Sequence, residues 1–242
     1  PDAGTYLQSQ LANDLRPLQV GQSCWAFVLE PTGKVDVLLR VWRTADETFV
    51  LDTDAGFGDT MSTRLNRFKI RVKAEITRLP WGCIAVRGDG VAAVVTGGIA
   101  SWGGGIDLLG PDVSPPTDVA AGGRDDLLAL RIEAGWPAMG SEIVPGETIP
   151  AVTGVVSVAV NFTKGCYPGQ ELVERMDSRG ADAPKQLRIV DAVKGAVPGD
   201  PVIVDGTEVG AITSVSPAGD LALAMIKRGH DVGRPPVHLT SA

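Results

Sequence analysis

The eight residues Lys164-Gly165-Cys166-Tyr167-Pro168-Gly169-Gln170-Glu171 constrain this chain more than any other stretch. Two glycines and a proline within five positions demand a sharp turn, with backbone angles that ordinary residues avoid. Before the turn lies the apolar, β-branched run Val155 to Val160, which predicts a buried strand. After it, Leu172 to Met176 predicts the start of a short helix. Such a turn delivers Cys166 to the approximate N-terminus of that helix, where unpaired amide N–H groups favour negative charge. Lys164 lies two residues away, so both groups are expected to push the thiol towards thiolate. A buried cysteine in a tight turn is the plainer alternative, since cysteine is among the most buried residue types.

The rest of the chemistry is sparse. Cys24 and Cys83 each sit in apolar runs and read as core cysteines on strands. Three scattered cysteines make no disulfide framework. His230 and His238 are the only histidines, and no Cys-x-x-Cys or His-x-x-x-His occurs, so no metal site is expected. The net charge of −7 argues against broad nucleic-acid binding, and no direct DNA binding is expected. No apolar run approaches the ~20 residues of a membrane span. Residues 1 to 4 carry neither a basic region nor an apolar signal core, so a soluble, cytoplasmic protein without a membrane partner is expected. Gly103-Gly104-Gly105 is not a phosphate loop, because no Gly-Lys-Ser/Thr follows and a strand, not a helix, is predicted after it.

Taken in order, Thr5 to Leu15 predicts a helix with Leu7, Leu11 and Leu15 on one stripe. Asn13 and Asp14 near its end either face a ligand or mark a frayed surface terminus. Ser23–Leu29 and Lys34–Trp42 predict a hairpin around Pro31-Thr32-Gly33, with Asp36 early in the second strand. Thr48–Thr53 predicts a third strand, and Gly56–Phe68 a helix with Met61, Leu65 and Phe68 inward. Phe68 to Ile76 alternates strictly and predicts a strand. Its Lys69, Arg71 and Lys73, with Arg64 and Arg67 upstream, would form a basic patch able to hold an anion or simply a solvated face. Strands are predicted at Ile84–Val86, Val91–Thr96 and Ile106–Leu109, around a Gly88-Asp89-Gly90 turn. A Pro/Gly-rich loop at Gly110–Gly123 precedes a helix at Arg124–Glu133, closed by Gly135. From Pro184 onward, four short strands separated by Pro, Gly and Asp turns predict a small β-barrel or open sheet.

The Lys164–Glu171 motif, followed by Arg179-Gly180, resembles the signature of the YgfZ-type folate-binding proteins, relatives of the glycine cleavage aminomethyltransferases. Two further stretches resemble elements of that superfamily: Tyr6 to Asp14, and Leu130-Arg131-Ile132-Glu133-Ala134-Gly135. The resemblance implies an α+β, multi-lobed aminomethyltransferase-like fold. Residues 1–182 would be the folate-binding region in two lobes, and 183–242 a small, shortened C-terminal β-barrel. It implies tetrahydrofolate, or a one-carbon derivative, as cofactor. The folate-binding residues would be Asp36, Arg131, Glu133, Lys164, Gly165, Tyr167, Gln170 and Glu171, with Cys166 and Asp36 catalytic. The catalytic aspartate of the transferases falls on or beside Asp36. Arg131 would bind a folate carboxylate or else form a structural ion pair.

Three functions follow from the resemblance. The first is a tetrahydrofolate-binding accessory factor for iron–sulfur cluster assembly or repair, acting with assembly or client proteins and affecting tRNA modification. The second is a true aminomethyltransferase. The third is a folate-dependent demethylating or oxidative partner domain, or a folate sensor. Cys166 favours the first, since the transferases normally lack a cysteine between the residues that match Lys164 and Gly169.

Overall fold

The computed structural model describes residues 1–88, 90–91, 95–178 and 183–237, without the side chains of 177 and 178. The first helix, α1 (Ala3–Gln10), starts two residues earlier than the leucine stripe suggests and ends five residues sooner. Leu11 is already extended and bridges to Val28, so the tail of the stripe packs as coil on a strand. Strands β1 (Ser23–Leu29), β2 (Val35–Ala45) and β3 (Thr48–Thr53) form an antiparallel sheet in the order β1-β2-β3, with Val28 opposite Val37 and Leu39 opposite Thr53. Strand β2 is buried on both faces through its first half: Leu38 and Arg40 are covered along with Val35, Val37, Leu39 and Val41. The Arg40 guanidinium, 1% exposed, is held by Asp52 at 2.8 Å. Helix α2 (Gly58–Arg67) lays Leu65 against the core formed by Leu7, Leu11, Val28, Val37, Leu39 and Val41.

Two predicted strands of this region are absent. Phe68–Ile76 is irregular, with Ile70 76% exposed and Arg71 at φ 59. Alternation supplied a face but no neighbouring strand, and Lys69 instead donates to the carbonyl of Ala74. The Val155–Val160 run is a single helical turn, α4 (Val156–Ala159), with Val155, Ala159 and Val160 buried. A short apolar run cannot by pattern alone be told from a buried helical turn. The predicted helix after the motif is present as α5 (Gln170–Ser178).

Strands β4 (Gly82–Val86), β5 (Ile99–Ala100) and β6 (Ile106–Gly110) pair in the order β4-β6-β5. Of the strand predicted at 91–96, residues 92–94 lie outside the described residues, and the rest is not a strand: Val91 is helical and its carbonyl accepts the N–H of Val95 at 3.0 Å, a helical spacing. Helix α3 (Arg124–Ala134) has its first turn closed by Asp126, which accepts the N–H of Gly123 at 2.7 Å. It ends at Gly135 in the left-handed conformation (φ 70), where a Cβ would sit 2.7 Å from Cα of Pro236. Ile132 of α3 packs on Leu187, Ile189 and Leu223. Those residues come from the last sheet, β7 (Lys185–Asp191), β8 (Pro201–Val204), β9 (Thr207–Val215) and β10 (Leu221–Lys227), ordered β7-β10-β9-β8. The expected closed barrel is not found: among the described residues β7 and β8 are the two ends of an open sheet, with Arg234 bridged to Ile189 of β7.

The chain divides into two compact units, Pro1–Thr77 with Ala138–Ala183, and Arg78–Pro137 with Pro184–Ala242. Residues 78–137 group with the C-terminal sheet, because α3 buries its Ile132 there. Among the described residues, no helix is long and apolar enough to cross a membrane.

Candidate functional site

In the first unit, Asp36 lies one residue into β2, at the end of the hairpin turn. Its carboxylate accepts Nε–H of Arg64 from α2 at 2.9 Å, and both side chains are largely buried, at 14% and 8% exposure. Arg64 also donates through Nη2 to the carbonyl of Leu29 at 2.8 Å, and its guanidinium lies 4.0 Å over the ring of Phe68. Among the described residues, Nη1 of Arg64 is buried with no hydrogen-bond partner. Around this pair opens a cleft of ≈ 180 Å³ lined by Glu30, Pro31, Asp36, Arg64, Arg67 and Phe68. Burial raises the proton affinity of Asp36 above the ordinary carboxylate range; Arg64 pulls it back, and the negative charge of Glu30 adds to the rise.

The motif turn belongs to the same unit but is organised differently. Lys164 does not stand beside the Cys166 thiol as a free positive charge. It turns inward, 5% exposed, and its ammonium donates to the carbonyls of Gln8 (2.6 Å) and Leu11 while lying 5.1 Å over the ring of Tyr167. Burial pulls Lys164 down to about 8. Tyr167 is buried, its hydroxyl has no partner, and burial together with Glu174 pushes it up to about 12. Gly165 and Cys166 are exposed, as solvent access at the turn predicts. The helix begins only at Gln170, so Cys166 does not occupy its first turn. Gln170 bonds to Glu174, and Glu171 pairs with Arg175 at 2.6 Å, both on the helix surface. Arg179-Gly180, and with them the end of the motif, lie outside the described residues.

The two glycines at this junction have a steric cause. Gly169 has φ +81, and a Cβ there would meet the carbonyl oxygen of Glu30 at 2.5 Å and Cα of Gly33 at 2.9 Å. Gly33, at φ +85, would place a Cβ 2.5 Å from Cβ of Leu172. The motif turn is therefore packed backbone to backbone on the β1–β2 hairpin, whose Glu30 lines the Asp36 cleft. None of residues 164–171 lines the cleft itself. A second, apolar cleft of ≈ 200 Å³ lies along α5, with Pro150, Val156, Phe162, Leu172 and Met176 in its wall.

The remaining predicted residues fall elsewhere. Asn13 is structural, donating to the carbonyls of Trp25 and Val158 at 2.8 and 2.9 Å. Asp14 pairs with Arg16, whose hydrogen bonds hold it down to about 2. Arg131 and Glu133 belong to the second unit; Arg131 donates to the carbonyl of Trp136 and to Oγ of Ser214, and Glu133 is exposed. Cys24 is largely covered, and burial pushes its thiol up to about 12. Cys83 is exposed on β4, contrary to its expected place in a core. His238 lies outside the described residues. Among the described residues, no group of three or more His, Cys, Asp or Glu side chains is placed to hold a metal ion.

Comparison with known proteins adds kinship to this geometry. No family model matches the chain. A tRNA-modifying protein YgfZ from Klebsiella pneumoniae is 30% identical over 212 residues, covering 75% of this chain and 64% of that protein. A mitochondrial iron–sulfur cluster assembly factor IBA57 homolog from Neurospora crassa is 26% identical over 227 residues, covering 82% and 52%. The glycine cleavage system aminomethyltransferase T from Bartonella henselae superposes with a TM-score of 0.74 at 19% identity, over 94% of this chain and 74% of that one. The chain is a relative of the YgfZ-type proteins. It spans under two thirds of the length of these two curated relatives, and its fold is that of the aminomethyltransferases. Arg64, which lines the Asp36 cleft, stood in the sequence only as part of a basic patch. Its spacing held the signal: three residues after Met61 and four before Phe68, it falls on the inward stripe of α2.

Proposed function

We propose that the chain is a tetrahydrofolate-binding accessory factor for iron–sulfur cluster assembly or repair, acting in the cytoplasm with a downstream effect on tRNA modification. The names of its YgfZ and IBA57 relatives support the cluster and tRNA role. The observation that carries the folate reading is the Asp36 cleft, where a largely buried acceptor, a buried donor with no partner among the described residues and an aromatic ring border one small space. Those groups suit a reduced pterin, a flat ring with N–H donors and carbonyl acceptors. When bound, the folate supplies a carrier for a one-carbon unit.

In this reading Asp36 accepts a hydrogen bond from an N–H of the reduced pterin next to the nitrogen that bears that unit. Its raised proton affinity lets it exchange a proton closer to neutrality than a solvated carboxyl does. Lys164, Tyr167, Gln170 and Glu171 act through the turn they build, with Gly165 leaving it open to the ligand. Cys166 offers an exposed thiol to a cluster or a partner's thiol. One thiol cannot hold a cluster, so the other ligands come from an assembly or client protein.

Calorimetry with tetrahydrofolate tests the reading. We expect binding, weakened about 10-fold by Asp36→Asn; no binding of any reduced folate overturns it. The aminomethyltransferase alternative is favoured by the carboxylate at Asp36 and by the fold. It predicts ammonia release from an aminomethyl-lipoyl carrier in the presence of tetrahydrofolate, and Asp36-dependent release would replace the first reading with the second.

A further inference from the structure

Arg64 is over-provided for a structural role. Nε and Nη2 already satisfy Asp36 and the Leu29 carbonyl, while Nη1 is buried with nothing to donate to. Unpaired buried donors are rare and costly, and charged ones more so. Each one calls for an explanation in terms of a missing acceptor. The side chain is 92% buried by its 8% exposure, and it lines the same cleft as Asp36. Over it lies Phe68, 36% exposed just beyond the end of α2, where the chain turns irregular. That ring, with the Arg67 guanidinium 5.6 Å from its centroid, covers Arg64 and has to be displaced by an incoming group.

We infer that Arg64 is a ligand-contacting, specificity-determining residue, whose Nη1 donates to an oxygen acceptor on the ligand that Asp36 engages. The inference rests on the folate reading and sharpens it. A carboxylate and a guanidinium held side by side present an acceptor and a donor to neighbouring atoms of one molecule. If Asp36 meets the N–H next to the nitrogen bearing the one-carbon unit, the adjacent donor meets the substituent. A formyl group offers an oxygen there; a methyl group of similar size offers none. The cleft therefore selects the one-carbon unit by its oxidation level. Glu30 and Arg67 also face this space, and a neutral formyl oxygen adds no charge for Glu30 to repel.

The test is paired calorimetry with 5-formyl- and 5-methyltetrahydrofolate. The wild-type chain is expected to bind the formyl compound about 10-fold or more tightly over the methyl one. Arg64→Gln and Arg64→Lys are expected to shrink that ratio towards one, because a merely structural loss weakens both ligands alike. Phe68→Ala, at an exposed position that folding tolerates, is expected to speed formyl-ligand association without removing the preference. A wild-type chain that binds both without preference, or a preference that survives in Arg64→Gln, overturns the inference and leaves the folate reading standing. Binding of neither ligand overturns both. If the Arg64 variants do not fold, an unchanged association rate in Phe68→Ala overturns it.

Discussion

The Asp36 cleft and the Lys164–Glu171 turn share one unit and meet at the β1–β2 hairpin, yet they use buried charge in opposite ways. Lys164 is fully committed: two backbone carbonyls and a tyrosine face receive its ammonium. Arg64 is only partly committed, with one N–H group left over beside a carboxylate whose own proton affinity is raised. The difference separates a staple from a site. In the turn the charged residue holds α1 against the motif, and Cys166 is left exposed. In the cleft the charged pair itself forms part of the lining.

That contrast can be broken most severely at Lys164. Lys164→Met leaves the carbonyls of Gln8 and Leu11 without their donor, and we expect a stability loss of about 2–4 kcal/mol in denaturant unfolding. A loss below about 0.5 kcal/mol would show that the ammonium is not a staple. The pH dependence sharpens the same point. Lys164 is held down to about 8 by burial, whereas an unfolded chain keeps its lysine protons to ~10.4. Between those values the unfolded chain binds more protons at this residue, so its contribution to stability rises with pH and is least favourable below about 8. The wild-type minus Lys164→Met difference should show that rise. Next in size is Gly169→Ala, which puts a methyl group on a backbone at φ +81 and against the Glu30 carbonyl; we expect about 2 kcal/mol or more lost. The smallest effect is at Cys166, where Cys166→Ser should leave stability within about 0.5 kcal/mol. Its exposed thiol should nevertheless be alkylated faster than that of Cys24, which is largely covered and pushed up to about 12; equal rates for the two would show that exposure at the turn does not set access to the thiol.

Local chemistry was legible wherever local chemistry decides structure. The β1–β2 hairpin, α3 with its acidic first turn and Gly135 stop, and the turn-punctuated strands from Lys185 onward all read correctly from residue types. What failed depended on distant partners. Phe68–Ile76 has strand alternation but no strand to pair with, and Val155–Val160 has strand composition in a space that admits one helical turn. The direction of Lys164 could not be read from its distance of two residues to Cys166, since its acceptors are more than 150 positions earlier. The same holds for the cleft: Asp36 was visible as a carboxylate beside a turn, but its partner Arg64 comes from another element.

The joining of Gly169 to Gly33 has a consequence for how the chain is made. The hairpin that carries Asp36 leaves the ribosome early, but the surface behind its turn is completed by Gly169 and Leu172. The amide of Val35 likewise donates to Thr148, and Asn13 waits for the carbonyl of Val158. Everything from Arg78 to Pro137, which belongs to the other unit, is synthesised in between. The nascent amino-terminal sheet must therefore remain unfinished through some sixty residues of translation, a high-contact-order arrangement that folds slowly and exposes apolar surface while it waits. Synthesis halted before Ala138 leaves the Asp36 strand in place without the segment that closes its unit.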